Sequence, residues 1–305
     1  REIFNLKGIL HSFSESTGLK VNYSKSCLVP INIDAEEANR IAQVFGCQLG
    51  SFPFTYLGLL LGTTRPSFND FLPLMTKVER RLSSTSTWLS MAGRLTLINS
   101  TLSALPTYTM CTLKLPAGVI SVIDRARKDC LWRGNDINAK RKPLIAWESV
   151  TMPKENGGMG VSNLRVQNQA LLMKFLHKFY NRADTPWVHL IWSTNYRNGR
   201  IPQNSSIRGS FWWRDILSLG NSFRGYAKAT VGNGSTCLLW TDLWSDTVLA
   251  SEVPHLYTFA KHPMQTIQQY NDNNSLEHNF FLPLSEEAHS EFEVLTNFIH
   301  SDPKQ

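Results

Sequence analysis

Six apolar residues, Trp88, Met91, Leu95, Ile98, Leu102 and Leu105, recur at intervals of three and four. That spacing is the period of one helix face and excludes a strand. Pro106 ends the pattern, because proline cannot donate to the helical ladder. The opposite side carries Arg94, Thr96, Asn99, Ser100 and Ser103. A helix with one apolar stripe must bury it, and the neighbouring sequence supplies partners. Residues 71–82 predict a helix ending in the basic Lys77, Arg80 and Arg81. Pro116 opens another, with Val119, Val122, Ile123, Ala126 and Cys130 inward, Arg125 and Lys128 elsewhere on its surface, and Gly134 as its cap. The middle of the chain is thus expected to be a helical bundle.

Before the bundle the pattern is mixed. Residues 2–17 place Ile3, Leu6, Leu10 and Phe13 on one helical face, and Gly18 stands where a left-handed cap belongs. Strands are expected over 19–23 and 27–31, turning through Ser24-Lys25-Ser26. Asp34 followed by Glu37 opens a helix with Ala38, Ile41, Ala42 and Phe45 on its face, and Gly46 closes it. Residues 51–62 are apolar, β-prone and punctuated by Gly and Pro, which reads as a short twisted hairpin or bulged strand pair around Tyr56-Leu57-Gly58. Without a Cβ, Gly58 admits a second backbone closely. The plain alternative is a buried core strand.

After the bundle come a polar linker over 135–142, a glycine loop at Gly157-Gly158-Met159-Gly160, and a basic, aromatic helix over 164–180. The loop lacks the Lys-Ser/Thr of a phosphate loop and reads as a turn. A short helix with Trp212 and Trp213, a hairpin over 226–240 turning at Asn233-Gly234, and a last helix capped by Ser285 complete the reading. The nine tryptophans fall mostly on inward faces or beside turns, where core packing explains them.

Charge is unevenly spread. Residues 77–200 hold nineteen Lys/Arg against seven Asp/Glu, a net of +12, whereas 241–305 hold two against ten, a net of −8. The basic stretch is long enough to follow a phosphate backbone. Five cysteines at 27, 47, 111, 130 and 237 form no Cys-x-x-Cys pair, and the eight histidines have no metal-ligand spacing, so no zinc site is expected. The scattered thiols suit a reducing compartment, nuclear or cytoplasmic. No apolar run approaches membrane-spanning length. Lys140-Arg141-Lys142-Pro143 is a minimal match to a nuclear-import cluster, better read as a phosphate contact or exposed linker.

Several motifs in order carry a family resemblance: Gly18-Leu19-Lys20-Val21-Asn22-Tyr23-Ser24-Lys25-Ser26, then Tyr56-Leu57-Gly58, then Gly93-Arg94-Leu95-Thr96-Leu97-Ile98-Asn99-Ser100, then Leu105-Pro106-Thr107-Tyr108, then Cys130-Leu131-Trp132-Arg133-Gly134. At these distances the chain resembles the reverse transcriptase of plant non-LTR (LINE-type) retrotransposons. The resemblance implies an α+β, mainly helical fold. Residues 1–66 would be the end of an incomplete palm with its primer grip, and 67–134 a helical thumb. Residues 135–200 would be a basic connecting region. Residues 201–305 would be a mixed region with a β-hairpin, preceding a zinc-binding segment. Both ends read as cut from a longer protein.

What the resemblance implies chemically is binding without catalysis. The family's paired catalytic aspartates are expected just before residue 1, and no Asp-Asp dipeptide occurs in the chain. No catalytic residue or metal ligand is therefore assigned. Mg²⁺ is expected only in the full-length polymerase, where two metal ions drive phosphoryl transfer. By resemblance Lys25 would approach the triphosphate and protonate departing pyrophosphate; the bland alternative is a solvated turn lysine. Tyr56, Leu57 and Gly58 would grip the primer end. Arg94, Asn99, Lys114, Arg125 and Lys128 would follow the template–primer duplex, which is near A-form and recognised by shape and backbone. The implied partners are an RNA template, a DNA primer and the missing N-terminal fingers and palm, with no membrane. The alternative is a non-catalytic nucleic-acid-binding or interaction module derived from a retroelement.

Overall fold

The computed structural model describes residues 2–85, 89–132, 143–195, 209–273 and 275–300. The chain divides into two compact units, Arg1–Pro73 and Leu74–Gln305. Helices dominate and strand content is small, so the fold is α+β and mainly helical, as the sequence implies.

The first unit runs α1 (Glu2–Thr17), a 3₁₀ turn (Tyr23–Lys25), β1 (Cys27–Leu28), α2 (Ala35–Phe45), β2 (Gln48–Leu49), β3 (Phe54–Tyr56) and β4 (Leu59–Leu61). Asp34 caps α2 by accepting from the Glu37 N–H at 2.7 Å, and Gly46 ends it in the left-handed region. Glu37 does not complete a capping box; its carboxylate pairs with Arg40 instead. Across α2, β1 and β2 pair in parallel, Cys27 opposite Gln48 and Leu28 opposite Leu49. The strand expected over 19–23 is absent. The Asn22 side chain accepts from the Lys25 N–H at 3.1 Å and from Ser24 Oγ at 2.6 Å, which coils the segment into the 3₁₀ turn and leaves β1 to find β2. Burial is sparse: only Ala38, Ala42 and Phe71 are buried among the described residues of this unit. Phe4, Leu6, Ile9 and Phe13 of α1 are all exposed.

The unit boundary falls within the first turn of α3 (Leu72–Thr85). Then follow α4 (Met91–Leu97), α5 (Thr107–Met110), α6 (Ala117–Trp132), α7 (Trp147–Val150) and α8 (Leu164–Tyr180). Helix α4 runs on into a π-helical segment, Ile98–Leu102. The stripe read from sequence is buried at Ile98 and Leu102, whereas Met91 is exposed and Trp88 lies outside the described residues. The wider π turn, closed by the Ser103 N–H donating to Ile98 O at 2.8 Å, has a consequence for Ser103. Placed on the polar side by its spacing, Ser103 is in fact buried. The cap expected at Gly134 also lies outside the described residues.

Two clusters of buried apolar residues complete the second unit. In the first, Leu172, Leu176 and Phe179 of α8 pack on Trp213, Ile216 and Leu217 of α10 (Phe211–Leu217), after α9 (Pro186–Asn195). Phe179 stacks on Trp192 with ring centres 4.6 Å apart. Helix α11 (Gly220–Tyr226) leads to the second cluster, built on Leu239, Trp240, Leu256, Phe280 and Leu295. Its frame is α12 (Leu249–Glu252), α13 (Pro254–Thr258), α14 (Ile267–Asp272), α15 (Leu276–Asn279) and α16 (Glu286–His300). Ser285 Oγ accepts from the Ala288 N–H at 3.2 Å, the cap that the sequence advertises.

The hairpin expected over 226–240 does not form. Its two arms pair elsewhere: Ala229 N–H donates to Leu243 O, Leu239 N–H to Gln265 O and Ile267 N–H to Cys237 O. The cause is Asp242, whose carboxylate accepts from the Leu238 N–H at 2.7 Å and pairs with the buried Arg224. This long-range pairing overrides the local turn preference of Asn233-Gly234.

Candidate nucleic-acid interface

The stretch around Tyr56 is an antiparallel hairpin, with Phe54 opposite Leu61, Thr55 opposite Leu60 and Tyr56 opposite Leu59. That leaves Leu57 and Gly58 as a two-residue turn, both at positive φ, 50° and 78°. Two successive left-handed residues are what the twist of a tight hairpin demands, and glycine meets the demand at no steric cost. Leucine does not, so Leu57 holds a conformation that branched apolar residues seldom adopt. The tip faces outward: Tyr56 is 58% and Leu57 72% exposed, and a Cβ added at Gly58 would meet nothing within 4 Å. The hairpin is therefore no buried core strand. It presents an aromatic ring, an apolar side chain and a bare backbone together.

Lys25 lies in the same unit, exposed at the end of the Asn22-capped turn. Its backbone is held by the cap, the Asn22 side chain accepting from its N–H.

In the second unit the candidate residues are held by α4, the π segment and α6. Arg94 is half-buried, and its Nε–H donates to Leu89 O at 3.1 Å. It lies close enough to Cys130 to oppose the upward push that burial gives that thiol. Asn99 is exposed on the π segment, and Arg125 is exposed on α6. Lys128, one turn on from Arg125, is half-buried with its Nζ 5.5 Å from the Trp147 ring centre. Lys114 precedes α6, and its Nζ donates to Ser218 Oγ at 3.1 Å. Arg125 and Lys128 thus share one helix, and Arg94 approaches it at Cys130, while Lys114 is tied towards α10.

Two polar residues that the sequence did not single out hold this surface in place. Arg127, between Arg125 and Lys128, is fully buried. Its guanidinium donates to Asp124 at 2.7 Å, to Ser103 Oγ at 3.0 Å and to Ser162 O at 2.6 Å. Burial pulls its pKa down from the ordinary value, and Asp124 opposes that pull. The π turn is what swings Ser103 into reach. Asn168 is the second: its amide accepts from the Leu115 N–H and donates to Met110 O and Leu113 O, each at 2.9 Å. Together they lock α4, α6 and α8 around the backbone that carries Lys114. One hint existed in the sequence, since Asp124 and Arg127 stand at i and i+3 on a helix.

The glycine loop is a turn. The N–H groups of Gly157, Gly158, Met159 and Gly160 donate to Lys154 O, Pro153 O, Val150 O and Met152 O. With its amides spent internally, the loop has none to offer a phosphate. None of the eight tryptophans among the described residues is exposed, in keeping with a packing role. The basic run at 140–142 lies outside the described residues. Among the described residues no group of three His, Cys, Asp or Glu side chains could hold a metal ion. Nor is any helix among them long and apolar enough to cross a membrane.

Comparison with known proteins adds plant relatives. The chain is 31% identical over 176 residues to a protein of Arabidopsis thaliana named "Putative ribonuclease H protein". The match takes in 55% of this chain but 28% of that protein, so the chain spans well under a third of the relative's length. An "Uncharacterized mitochondrial protein" of the same plant is 27% identical over 143 residues, 46% of this chain and 92% of its own. No protein-family model matches the chain.

Proposed function

We propose that this chain is the template–primer-holding part of a retroelement RNA-directed DNA polymerase, a reverse transcriptase of the non-LTR (LINE) type. The observation that carries the reading is the hairpin tip, where Tyr56, Leu57 and Gly58 stand exposed on a turn whose backbone conformation is fixed. Such a tip suits the end of a primer strand: an aromatic face for the terminal sugar or base, and a bare backbone at Gly58 for close approach. Arg94, Asn99, Lys114, Arg125 and Lys128 would contact the phosphates of the RNA–DNA duplex, neutralising charge without reading sequence. The ribonuclease H name of one relative supports a retroelement origin. Lys25 on its outward turn would serve the pyrophosphate side. The chemistry would belong to Mg²⁺ and the paired aspartates that the family carries elsewhere in its palm.

A second reading, resting on the same basic helices, is a retroelement-derived module that binds nucleic acid without catalysing. One experiment separates them. Tyr56→Ala and Gly58→Ala would be placed in a protein that joins this chain to a complete palm, and both melting and primer extension measured. Ala at Gly58 costs about 1 kcal/mol through its left-handed φ alone, and Ala at the exposed Tyr56 well under about 1 kcal/mol. The polymerase reading expects near-normal melting and extension reduced at least tenfold in both variants. Unchanged extension in both would remove the grip and leave the binding module.

A further inference from the structure

We infer that His262 and His278 form a two-ligand site for a borderline transition-metal ion such as Zn²⁺, clamping α15 to the segment before α14. The two residues are sixteen positions apart, and nothing in their spacing marks them. The fold brings them together through one antiparallel bridge between Ala260 and Phe280. On either side of it the Lys261 N–H donates to Asn279 O and the Phe281 N–H to Phe259 O, each at 2.9 Å. His262 lies two residues beyond Ala260 and His278 two before Phe280, so the register sets them opposite each other. Their ring centres are 5.4 Å apart, with the planes inclined at 42°.

That separation suits a shared ion. With Zn–N bonds of about 2.0–2.1 Å and tetrahedral angles, two imidazoles on one zinc have ring centres about 5 Å apart. Ring–ring attraction alone holds the pair only weakly, because both side chains are exposed and the tilted contact removes little surface from water. Two other exposed histidines behave differently. His189 pairs with Asp184 at 2.9 Å and His255 with Glu291 at 2.8 Å, whereas neither His262 nor His278 has a hydrogen-bond or ion-pair partner for its ring among the described residues.

The backbone under the pair is already fixed, which lowers the cost of capture. Phe280 and Ala260 are buried. The His278 N–H is held by Ser275 Oγ at 3.2 Å, and Asn279, buried beside it, donates to Asn273 O at 2.7 Å and to Ser275 O at 3.1 Å. On the other side the Gln265 N–H donates to His262 O at 3.1 Å. The neighbouring Lys261 ammonium is drawn to Glu277 O at 2.5 Å and lies over the Phe281 ring. With two protein ligands, the remaining coordination positions go to water, so the ion would be structural and exchangeable. Oxygen-seeking Mg²⁺ would not take the site.

The test uses the full chain without a histidine tag, freed of metal with chelator. Melting temperature and calorimetric binding are followed as ZnCl₂ is added, with MgCl₂ as the control cation. A saturable rise in melting temperature with zinc alone, and affinity cut at least tenfold in both His262→Ala and His278→Ala but not in His289→Ala, is the expected result. Because both side chains are exposed, the variants should melt like the parent without metal. No zinc binding below about 1 mM, or binding that survives both substitutions and so belongs to Cys27 or another group, would overturn the site.

Discussion

The two units teach opposite lessons about what a short segment can do alone. The unit of residues 74–305 encloses whole aromatic side chains, among them Trp213, Trp240, Phe179 and Phe280, and neutralises the charges it buries. Among its described residues the unit of residues 1–73 buries two alanines and one phenylalanine, and it leaves Phe4, Leu6, Ile9 and Phe13 of α1 exposed. Its sheets have two strands each, and a lone two-stranded sheet is marginal in water. Stability is thus concentrated in the second unit, while the hairpin tip with the most distinctive backbone belongs to the first.

Truncating an aromatic residue in each unit tests that contrast with the largest effect. Trp240→Ala should cost about 3–5 kcal/mol of unfolding free energy, from lost burial and the cavity left behind. Phe4→Ala, on the exposed face of α1, should change it by less than about 0.5 kcal/mol. Urea denaturation of the two variants measures both, and equal losses would dissolve the distinction.

Next in size is Arg127→Ala, expected to cost about 2–3 kcal/mol because it removes the partner of the partly exposed Asp124 and the donor to Ser162 O. If Arg127 behaves as a surface residue like its neighbour Arg125, the variant will melt with the parent, and the lock between α4, α6 and α8 is not there.

Thiol chemistry sharpens the comparison with a smaller effect. Burial pushes the Cys237 thiol up to about 12, and Asp242 adds to the shift. The folded state then keeps a proton that the unfolded thiol sheds near its ordinary 9.0. Any stability held this way is complete below about pH 9 and is lost as pH rises from there towards 12. At pH 8 iodoacetamide should label the exposed Cys27 well before the buried Cys130 and Cys237, as peptide mass mapping over time would show. Simultaneous labelling would mean that the second unit opens as readily as the first.

Sequence legibility follows how local each cause is. Asp34 and Gly46 bracket α2, Ser285 opens α16, and the hairpin at 54–61 declares itself through residues that are neighbours in the chain. The errors came from distant partners. Asn233-Gly234 is a sound turn signal, but Asp242 and Arg224 decide where its flanks pair. Ser103 was turned to the wrong side because a three-four spacing cannot register the π turn. Arg127 hid among the basic residues of α6, where charge counting treats a buried guanidinium and a solvated one alike. Of the candidate interface, residue types and helices were legible; the ties of Lys114 to Ser218 and of Lys128 to Trp147 were not, since both span segments far apart in sequence.

If this chain grips an RNA–DNA hybrid through its basic helices, as proposed, its affinity must respond to salt. Fluorescence anisotropy of a labelled hybrid would be measured at several salt concentrations for the parent, Arg125→Ala and Lys114→Ala. The expected result is that log K falls linearly with log salt, and that each substitution weakens binding and lowers the slope by about 1. Affinity indifferent to salt, or slopes unchanged by either substitution, would contradict it.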